Sequence, residues 1–339
     1  MIASSAVARL TTAGQPPAGS CVPGLVSYGR AVRYLESDLV PPVSRIGLGT
    51  WQFGSREWGY GARYARGEAA RIVDRALEVG VTLFDTAEIY ALGRSERILG
   101  RALASRREQA FIATKLFPLL PIAAVVERRG RASARRLGVE RLDLYQVHWP
   151  SPVVGDTATM RGMRALQAQG LVGEVGVSNY SLARWQSAEA ALGSRVLSNQ
   201  VRYSLVERSA ERELIPYARA KGRLVIAYSP LAQGFLSGQY DTDRLPPNRM
   251  RRRSHVFGRE SFARAEPLVR ALREIGARHD ATAAQVALAW TIREPCLLAI
   301  PGASTVAQLE ANVAAAELEL APDEIETLDA AAAAYSAPA

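Results

Sequence analysis

Short apolar segments alternate with longer amphipathic segments from residue 44 almost to the end of the chain. The short segments are rich in β-branched and aromatic residues, a composition typical of strands. Eight such segments occur, at 44–51, 81–87, 110–115, 142–149, 171–179, 196–204, 223–230 and 297–304. Intervening segments such as 67–80 and 210–222 repeat their apolar residues with the period of a helix. The alternation therefore predicts a parallel sheet covered by helices.

The apolar runs in these eight segments are nearly continuous, as expected for strands that are buried on both faces. Eight strand–helix units favour a (β/α)8 barrel, the TIM-barrel fold. An open, doubly wound sheet is the competing architecture. That fold usually has a G-x-G-x-x-G turn after its first strand, and the sequence there, "GLGTWQFG", has a different spacing. We therefore expect the barrel.

Two regions depart from the alternation and set the expected domain boundaries. Residues 234–257 form a long segment rich in Pro and Arg, and 258–279 and 282–294 then predict two successive helices before the last strand. Long loops on compact domains commonly cover a functional site. We expect a disordered N-terminal extension over residues 1–31, one domain over 32–334 and a short C-terminal tail over 335–339.

The composition narrows the class of protein. The chain is 48% hydrophobic and 22% charged, as globular domains are, and no uncharged apolar run reaches the roughly 18 residues of a membrane span. Two widely separated cysteines favour a reducing, cytoplasmic setting and no disulfide framework. The net charge of +9 comes from scattered arginines, which favours an anionic ligand over a nucleic-acid surface. Dispersed His and Cys residues predict no metal site.

Four polar side chains lie at or just after predicted strand ends. The second strand ends near Asp85, the third at Lys115 and the fourth near His148, while Tyr90 follows in the loop after the second strand. Lysine occurs only at positions 115 and 221, so a lysine that closes an apolar strand is unusual in this chain. Because neighbouring strands are ~4.8 Å apart, these four side chains can converge at one end of the barrel.

The four side chains together suit proton donation to a reduced carbonyl oxygen. A phenol with a pKa of about 10 is a weak acid near neutral pH, and a neighbouring ammonium lowers that pKa. We therefore expect Lys115 to lower the pKa of Tyr90, with Asp85 holding Lys115 in place. His148 is expected to orient a carbonyl oxygen, and Tyr90 to act as general acid.

At these residues the sequence resembles the aldo-keto reductase superfamily over about residues 32–330. The similar segments are "GLGTWQFG", "LFDTAEIYALGRSERILGRAL", "FIATK" and "LDLYQVHWP", in the order and spacing of the family. The resemblance implies a (β/α)8 barrel that transfers hydride from a nicotinamide coenzyme to an aldehyde or ketone. It also implies that Asp85, Tyr90, Lys115 and His148 are the catalytic tetrad.

Three later segments resemble the coenzyme-binding parts of the family. The segment "GVSNY" implies that Ser178 and Asn179, with Gln200, hold the carboxamide, and "YSPLAQGFLSG" implies that Tyr228 stacks on the nicotinamide. The same loop would line the phosphates, and "IPGASTVAQLEANV" would bind the adenosine. The residues implied for these two parts are Ser229, Pro230, Leu231, Gln233, Gly234, Gly302, Ser304, Gln308 and Asn312.

The choice between NADPH and NADH rests on few residues. One branch of the family has Lys and Arg where this chain has Gly302 and Gln308, and both grip the 2′-phosphate. A second branch, similar to potassium-channel beta subunits, takes an Arg from the loop after the seventh strand. Here "PPNRMRRRS" supplies Arg249, with arginines at 251–253 nearby. We expect Arg249 to contact the 2′-phosphate and NADPH to be preferred, with NADH not excluded.

The substrate is predicted only as a small-molecule carbonyl compound. Trp51 and Trp149 are expected to line an apolar pocket, with Phe53, Trp58 and Tyr60 on the same mouth of the barrel. The oligomeric state stays open between monomer and homo-oligomer. Two other functions remain: a nucleotide-sensing protein of the same fold that turns over slowly, and an aldolase that uses Lys115 to form a Schiff base.

Overall fold

The protein is described by a computed structural model that covers residues 33–35, 42–56, 59–61, 66–252 and 254–336. One parallel sheet contains eight strands in chain order. The strands are β1 (Leu48–Gly49), β2 (Leu83–Asp85), β3 (Phe111–Leu116), β4 (Leu142–Val147), β5 (Val172–Ser178), β6 (Ser198–Arg202), β7 (Leu224–Tyr228) and β8 (Leu297–Ala299). All eight predicted strands are confirmed, and only β3 extends beyond its predicted segment, by one residue.

The sheet closes into a barrel because the segment of β8 pairs with the segment of β1. The Gly47 amide donates to the Ala299 carbonyl at 2.8 Å, and the Gly49 amide donates to the Pro301 carbonyl at 3.1 Å. A Cβ atom at Gly49 would lie 2.6 Å from the Ile300 carbonyl oxygen, so only glycine fits at this point of the closure. The predicted (β/α)8 barrel is confirmed.

Helices cover the outside of the barrel, as the alternation predicted. The eleven α-helices in the described residues are α1 (Arg66–Glu78), α2 (Arg94–Leu103), α3 (Ala123–Leu137), α4 (Asp156–Ala168), α5 (Leu182–Leu192), α6 (Leu214–Lys221), α7 (Arg249–Arg252), α8 (Arg259–Arg278), α9 (Ala283–Thr291), α10 (Val306–Ala314) and α11 (Pro322–Ser336). The predicted pair of helices before the last strand is confirmed as α8 and α9. The long segment before them contains α7 and two short 3-10 helices, at Ala232–Ser237 and His255–Phe257.

The core has two layers, as the alternation of side chains along buried strands requires. The larger cluster lies between the strands and the helices, and the smaller one fills the barrel interior. Helix α11 runs to Ser336, and Tyr335 packs in the outer core against Phe235 at 6.3 Å between ring centroids. Helix α11 therefore extends two residues into the segment that was predicted to be the C-terminal tail. Among the described residues, the helices are all too short or too polar to span a bilayer.

Candidate active site

Polar side chains point into the carboxyl end of the barrel. Each of them lies two residues after an apolar residue whose side chain fills the barrel interior. Apolar residues of the second, third, fourth and seventh strands fill the interior below. Since side chains on a strand alternate between its two faces, the next inward positions point to the same axis. The interior residues are Leu83, Ala113, Leu144 and Ile226, and those two positions further along are Asp85, Lys115, Gln146 and Tyr228. His148 follows Gln146 by two more residues, just beyond β4.

Lys115 lies at the centre of this group and is fully buried. Its Nζ donates to both carboxylate oxygens of Asp85, at 2.6 and 2.7 Å, and to the Thr86 carbonyl at 2.8 Å. The same Nζ lies 3.3 Å from Tyr90 Oη. The predicted pairing of Asp85 with Lys115 is confirmed, and the structure brings Tyr90 into contact with the same amine.

The pKa shifts in this group correct one prediction. Burial raises the pKa of the Tyr90 phenol well above its usual value, and the Asp85 carboxylate and the Tyr228 side chain raise it further. The expectation of a lowered Tyr90 pKa is therefore wrong, because desolvation of the phenol outweighs the effect of the neighbouring Lys115 amine. Burial also raises the pKa of Asp85 and lowers that of Lys115, and the ion pair between them opposes both shifts.

A cluster of buried hydroxyl groups holds the end of β2, and the sequence did not reveal it. Thr50 Oγ1 donates to the Asp85 carbonyl at 2.9 Å, and Ser95 Oγ donates to the Thr50 carbonyl at 2.8 Å. Ser95 Oγ also lies 3.0 Å from Thr86 Oγ1. These bonds tie β1, β2 and the start of α2 together, so they fix both sides of the loop that carries Tyr90.

His148 is nearly buried and forms the other wall of the site. Burial and the positive charge of Lys115 lower the pKa of His148 to about 2, so its imidazole is neutral near pH 7. Its ring lies edge-on to Tyr90, with 5.7 Å between centroids, and stacks on the Trp149 indole at 3.8 Å. His148 Nδ1 has no hydrogen-bond partner among the described residues. A neutral imidazole in this position offers one N–H donor.

The side chains predicted to hold a carboxamide lie together on neighbouring strand ends. Asn179 Nδ2 donates to Ser178 Oγ at 3.0 Å and to the His148 carbonyl at 3.1 Å, and Tyr228 Oη donates to Asn179 Oδ1 at 3.0 Å. Gln200 contacts the Asp85–Lys115 pair directly, because its Nε2 donates to Asp85 Oδ2 at 2.7 Å. The sequence did not indicate this link between Gln200 and Asp85.

The loop after β7 contains several left-handed backbone conformations, and the Ala232 and Gly234 amides donate to the Ser229 and Leu231 carbonyls within it. Ser229, Ala232, Gln233 and Gly234 all have positive φ, between 46° and 95°. The Pro230 and Leu231 positions lie between them in sequence. Successive amides in and around left-handed conformations form concave groups of N–H donors that bind anions. Gln233 Oε1, a hydrogen-bond acceptor, is buried without a hydrogen-bond partner among the described residues.

The segment after β8 lies beside that loop, because β7 and β8 are paired. Gln308 Oε1 accepts from the Ser304 amide at 2.9 Å, so its side chain turns back on the start of α10. Asn312 Nδ2 donates to the Gly302 carbonyl at 3.4 Å. A Cβ atom at Gly302 would lie 2.8 Å from the Gln52 side chain, so a lysine there would displace Gln52.

The arginine run after β7 is described only in part. Its backbone forms α7, but the Arg249 side chain lies outside the described residues, and so does Arg253. Arg251 Nη1 donates to Tyr240 Oη at 3.4 Å and lies 4.0 Å from the position that a Gly234 Cβ would occupy. The sequence predicted Arg249 as the phosphate contact and named Arg251 only as a nearby arginine. In the structure, Arg251 faces the loop that was predicted to line the phosphates.

This constellation agrees with what comparison with known proteins finds. Residues 45–333 match the family model described as the aldo/keto reductase family. The chain belongs to the aldo/keto reductase family. An uncharacterized oxidoreductase of Mycobacterium tuberculosis is 56% identical over 304 residues, which are 90% of this chain and 94% of the relative. Methylglyoxal reductase YeaE of Escherichia coli is 34% identical over 294 residues, 86% of this chain and 91% of the relative.

A solved structure extends the similarity to the fold. The aldo/keto reductase of Klebsiella pneumoniae, crystallised in complex with NADP and acetate, aligns with a TM-score of 0.70 at 30% identity. The alignment covers 89% of this chain and 94% of the other. The barrel of this chain is therefore similar to the fold of a solved aldo/keto reductase.

The aromatic residues predicted at the mouth of this aldo/keto reductase differ in how deeply they are buried. Trp51 and Trp149 are both partly exposed; Trp51 lies 6.2 Å from Tyr90 between ring centroids, and Trp149 stacks on His148. Phe53 is fully buried in the outer core, so its predicted place on the mouth is wrong. Tyr60 is half-buried, and Trp58 lies outside the described residues.

Proposed function

We propose that this protein is an NADPH-dependent aldo-keto reductase that reduces aldehydes or ketones to alcohols. The observation that carries the proposal is the position of Lys115 Nζ, which bonds the Asp85 carboxylate and lies 3.3 Å from Tyr90 Oη. The family membership supports the reaction class. A relative named methylglyoxal reductase and a neighbour crystallised with NADP support a carbonyl substrate and this coenzyme.

The residues at the carboxyl end of the barrel fit a nicotinamide coenzyme. Such a coenzyme supplies the hydride for reduction of the carbonyl carbon. Ser178, Asn179 and Gln200 would hold the carboxamide, and Tyr228 would lie against the nicotinamide. The loop of left-handed residues after β7 would line the pyrophosphate. Ser304, Gln308 and Asn312, beside Gly302, would bind the adenosine end.

Tyr90 is the proposed proton donor. Its raised pKa keeps the phenol protonated throughout the neutral range, so Tyr90 has a proton to donate. An alkoxide that forms on the substrate is a stronger base than a phenolate, so the proton moves from Tyr90 Oη to the oxygen. The adjacent Lys115 Nζ then stabilises the phenolate that remains. Lys115 therefore acts by stabilising the Tyr90 phenolate after the proton transfer. It does not need to lower the Tyr90 pKa before the transfer.

His148 is the proposed orienting group. Because its imidazole is neutral, it can donate one hydrogen bond to the carbonyl oxygen without competing as a proton donor. Stacking on Trp149 and the bond from Asn179 to its carbonyl hold the residue in place. The oxygen would thus receive one hydrogen bond from His148 and one from Tyr90.

The preference for NADPH is assigned to Arg249. Its position in the α7 segment, after the loop that would bind the pyrophosphate, suits a contact with the 2′-phosphate. Arg249→Ala should weaken NADPH binding by roughly 10- to 100-fold, as expected for a charge-assisted hydrogen bond, and leave NADH binding unchanged. Arg251→Ala is the matched variant, because Arg251 faces the pyrophosphate loop and should weaken both coenzymes alike. Equal dissociation constants of wild type for NADPH and NADH would contradict the preference.

The proposed reaction is tested by a screen of aldehydes and ketones that follows the loss of NADPH absorbance. Tyr90→Phe should lower kcat by about 10²- to 10⁴-fold while the NADPH dissociation constant changes only a few-fold. Near-normal turnover of Tyr90→Phe would rule out Tyr90 as the acid. Coenzyme binding without reduction of any carbonyl compound would favour a nucleotide-sensing protein instead.

A further inference from the structure

Exposed apolar side chains are concentrated on one half of the barrel mouth. Of the ten large apolar side chains that are exposed in the described residues, eight lie in the loops after β1 to β4. They are Trp51, Ile89, Leu92, Leu119, Leu120, Ile122, Trp149 and Val153. Contiguous exposed apolar surface on a protein commonly marks a binding site.

Four aliphatic members of this set form what we call the apolar rim: Leu119, Leu120, Ile122 and Val153. Their relative exposures are 61%, 57%, 49% and 74%. Residues 116–126 and 149–155, which contain the rim, include no charged side chain. In a chain that is 22% charged, this uncharged surface suits a neutral hydrocarbon ligand.

The rim is held in place by a partly buried ion pair. Glu88 Oε1 accepts from the Phe117 amide at 2.5 Å and lies 3.2 Å from Arg129 Nη1. Arg129 also donates to the Phe117 carbonyl, so both polar groups of this residue are bound. Glu88 lies two residues before Tyr90 in sequence, so the same pair ties the rim to the loop that carries the proton donor.

The loop also winds tightly and includes one unfavourable backbone conformation. The Leu119 amide donates to the Phe117 carbonyl at 2.9 Å, and the Ile122 amide donates to the Leu120 carbonyl at 2.8 Å. Leu120 has a φ of 49°, in the left-handed region that favours Gly or Asn. Such conformations cluster at ligand sites, where the surrounding structure maintains them. An exposed leucine here makes its side chain available to a ligand.

Aromatic contacts connect the rim to the proposed catalytic group without a break. The Phe117 ring packs edge-on against Trp149 at 5.9 Å, and Trp149 stacks on His148 at 3.8 Å. His148 in turn lies edge-on to Tyr90. A ligand whose carbonyl reaches Tyr90 and His148 therefore has an apolar path outward over Trp149 to Leu119 and Leu120.

We propose that the apolar rim binds the hydrocarbon tail of the substrate, so that this reductase favours carbonyl compounds with long alkyl chains over short, polar ones. The inference rests on the proposed function, because the carbonyl is placed at Tyr90. It adds an outer binding site for the tail, formed by Leu119, Leu120, Ile122 and Val153. It also assigns Glu88 and Arg129 as positioning residues that keep this site preformed.

The test compares straight-chain aldehydes from propanal to decanal. In wild type, kcat/KM should rise with chain length, by about fourfold for each methylene that the rim buries, which corresponds to about 0.8 kcal/mol. The double variant Leu119→Ser/Leu120→Ser should flatten this rise for the longer chains and leave kcat/KM for propanal unchanged. Both leucines are exposed, so the variant should fold. Leu245→Ser, which replaces an exposed leucine in the segment after β7, is the matched control and should keep the wild-type slope.

A second measurement separates binding of the tail from turnover. Isothermal titration with 1-decanol should give binding to wild type that is at least tenfold weaker in Leu119→Ser/Leu120→Ser. Binding of 1-decanol without reduction of any aldehyde would overturn the proposed function but would still support the apolar binding site. Equal slopes in wild type and the double variant, or a flat wild-type series, would overturn the site. A wild-type dimer that becomes monomeric in the double variant, with an unchanged slope, would assign the rim to a subunit interface.

Discussion

Replacement of Lys115 by Met tests how the buried polar group is held together. Methionine has a similar length and is uncharged, so it fills the same space but removes four interactions of Nζ. These are two with the Asp85 carboxylate, one with the Thr86 carbonyl and one with Tyr90 Oη. Asp85 is 2% exposed and keeps Gln200 as its side-chain donor. The variant therefore contains a buried carboxylate without a counter-charge.

The expected loss in the free energy of unfolding at pH 7 is about 3–5 kcal/mol, because one partner of a buried ion pair is removed. The loss should depend on pH. Burial raises the Asp85 pKa, and without Lys115 less opposes that rise. The folded variant then binds a proton that the unfolded chain, with an Asp pKa of about 3.9, has released. Its stability should therefore fall as pH rises from about 4, and the deficit relative to wild type should be larger at pH 7 than at pH 5.

Urea titrations followed by circular dichroism, at pH 5 and pH 7, measure this deficit. The matched variant is Asp85→Asn/Lys115→Met, which removes both charges and should recover part of the lost stability. Turnover of an aldehyde should be lost in both variants, because each lacks the charge that we propose stabilises the Tyr90 phenolate. The reasoning fails if the deficit is the same at both pH values, or if the double variant is no more stable than Lys115→Met.

Three further predictions concern the closure, the imidazole and the N-terminus. Gly49→Ala should destabilise the barrel by about 2 kcal/mol or more, since its Cβ meets the Ile300 carbonyl, whereas Gly155→Ala has open space and should be near neutral by thermal melting. The pKa of His148 is about 2 in the folded protein and about 6.5 in the unfolded chain, so only the unfolded chain binds a proton at this residue as the pH falls below about 6.5. From pH 6.5 to 5 this group should therefore remove about 2 kcal/mol of unfolding free energy, a loss that His148→Asn should lack in urea titrations. Deletion of residues 1–30 should leave the melting temperature and kcat unchanged; an insoluble product would contradict the predicted extension.

Local pattern alone determined the barrel and the positions of its strands. Apolar runs buried on both faces can form only where helices cover both sides or the sheet closes, and eight of them with intervening helices leave few alternatives. The position of Asp85 and Lys115 at the ends of neighbouring strands also placed both residues at one end of the barrel. The pairing of these two residues could therefore be predicted before any contact was known.

Only the tertiary structure determined the pKa shifts, the long-range hydrogen bonds and the burial of loop residues, because these depend on distances between residues and on access of solvent. The Tyr90 pKa rises because desolvation outweighs the neighbouring amine, and no sequence pattern reports how much solvent a loop residue loses in the folded protein. The bond from Gln200 to Asp85 spans 115 positions of the chain, and the buried position of Phe53 reflects packing of the first loop. The apolar rim likewise becomes a surface only when separate loops meet above the barrel. Sequence specifies which faces are buried, and the closed fold determines which groups then share one environment.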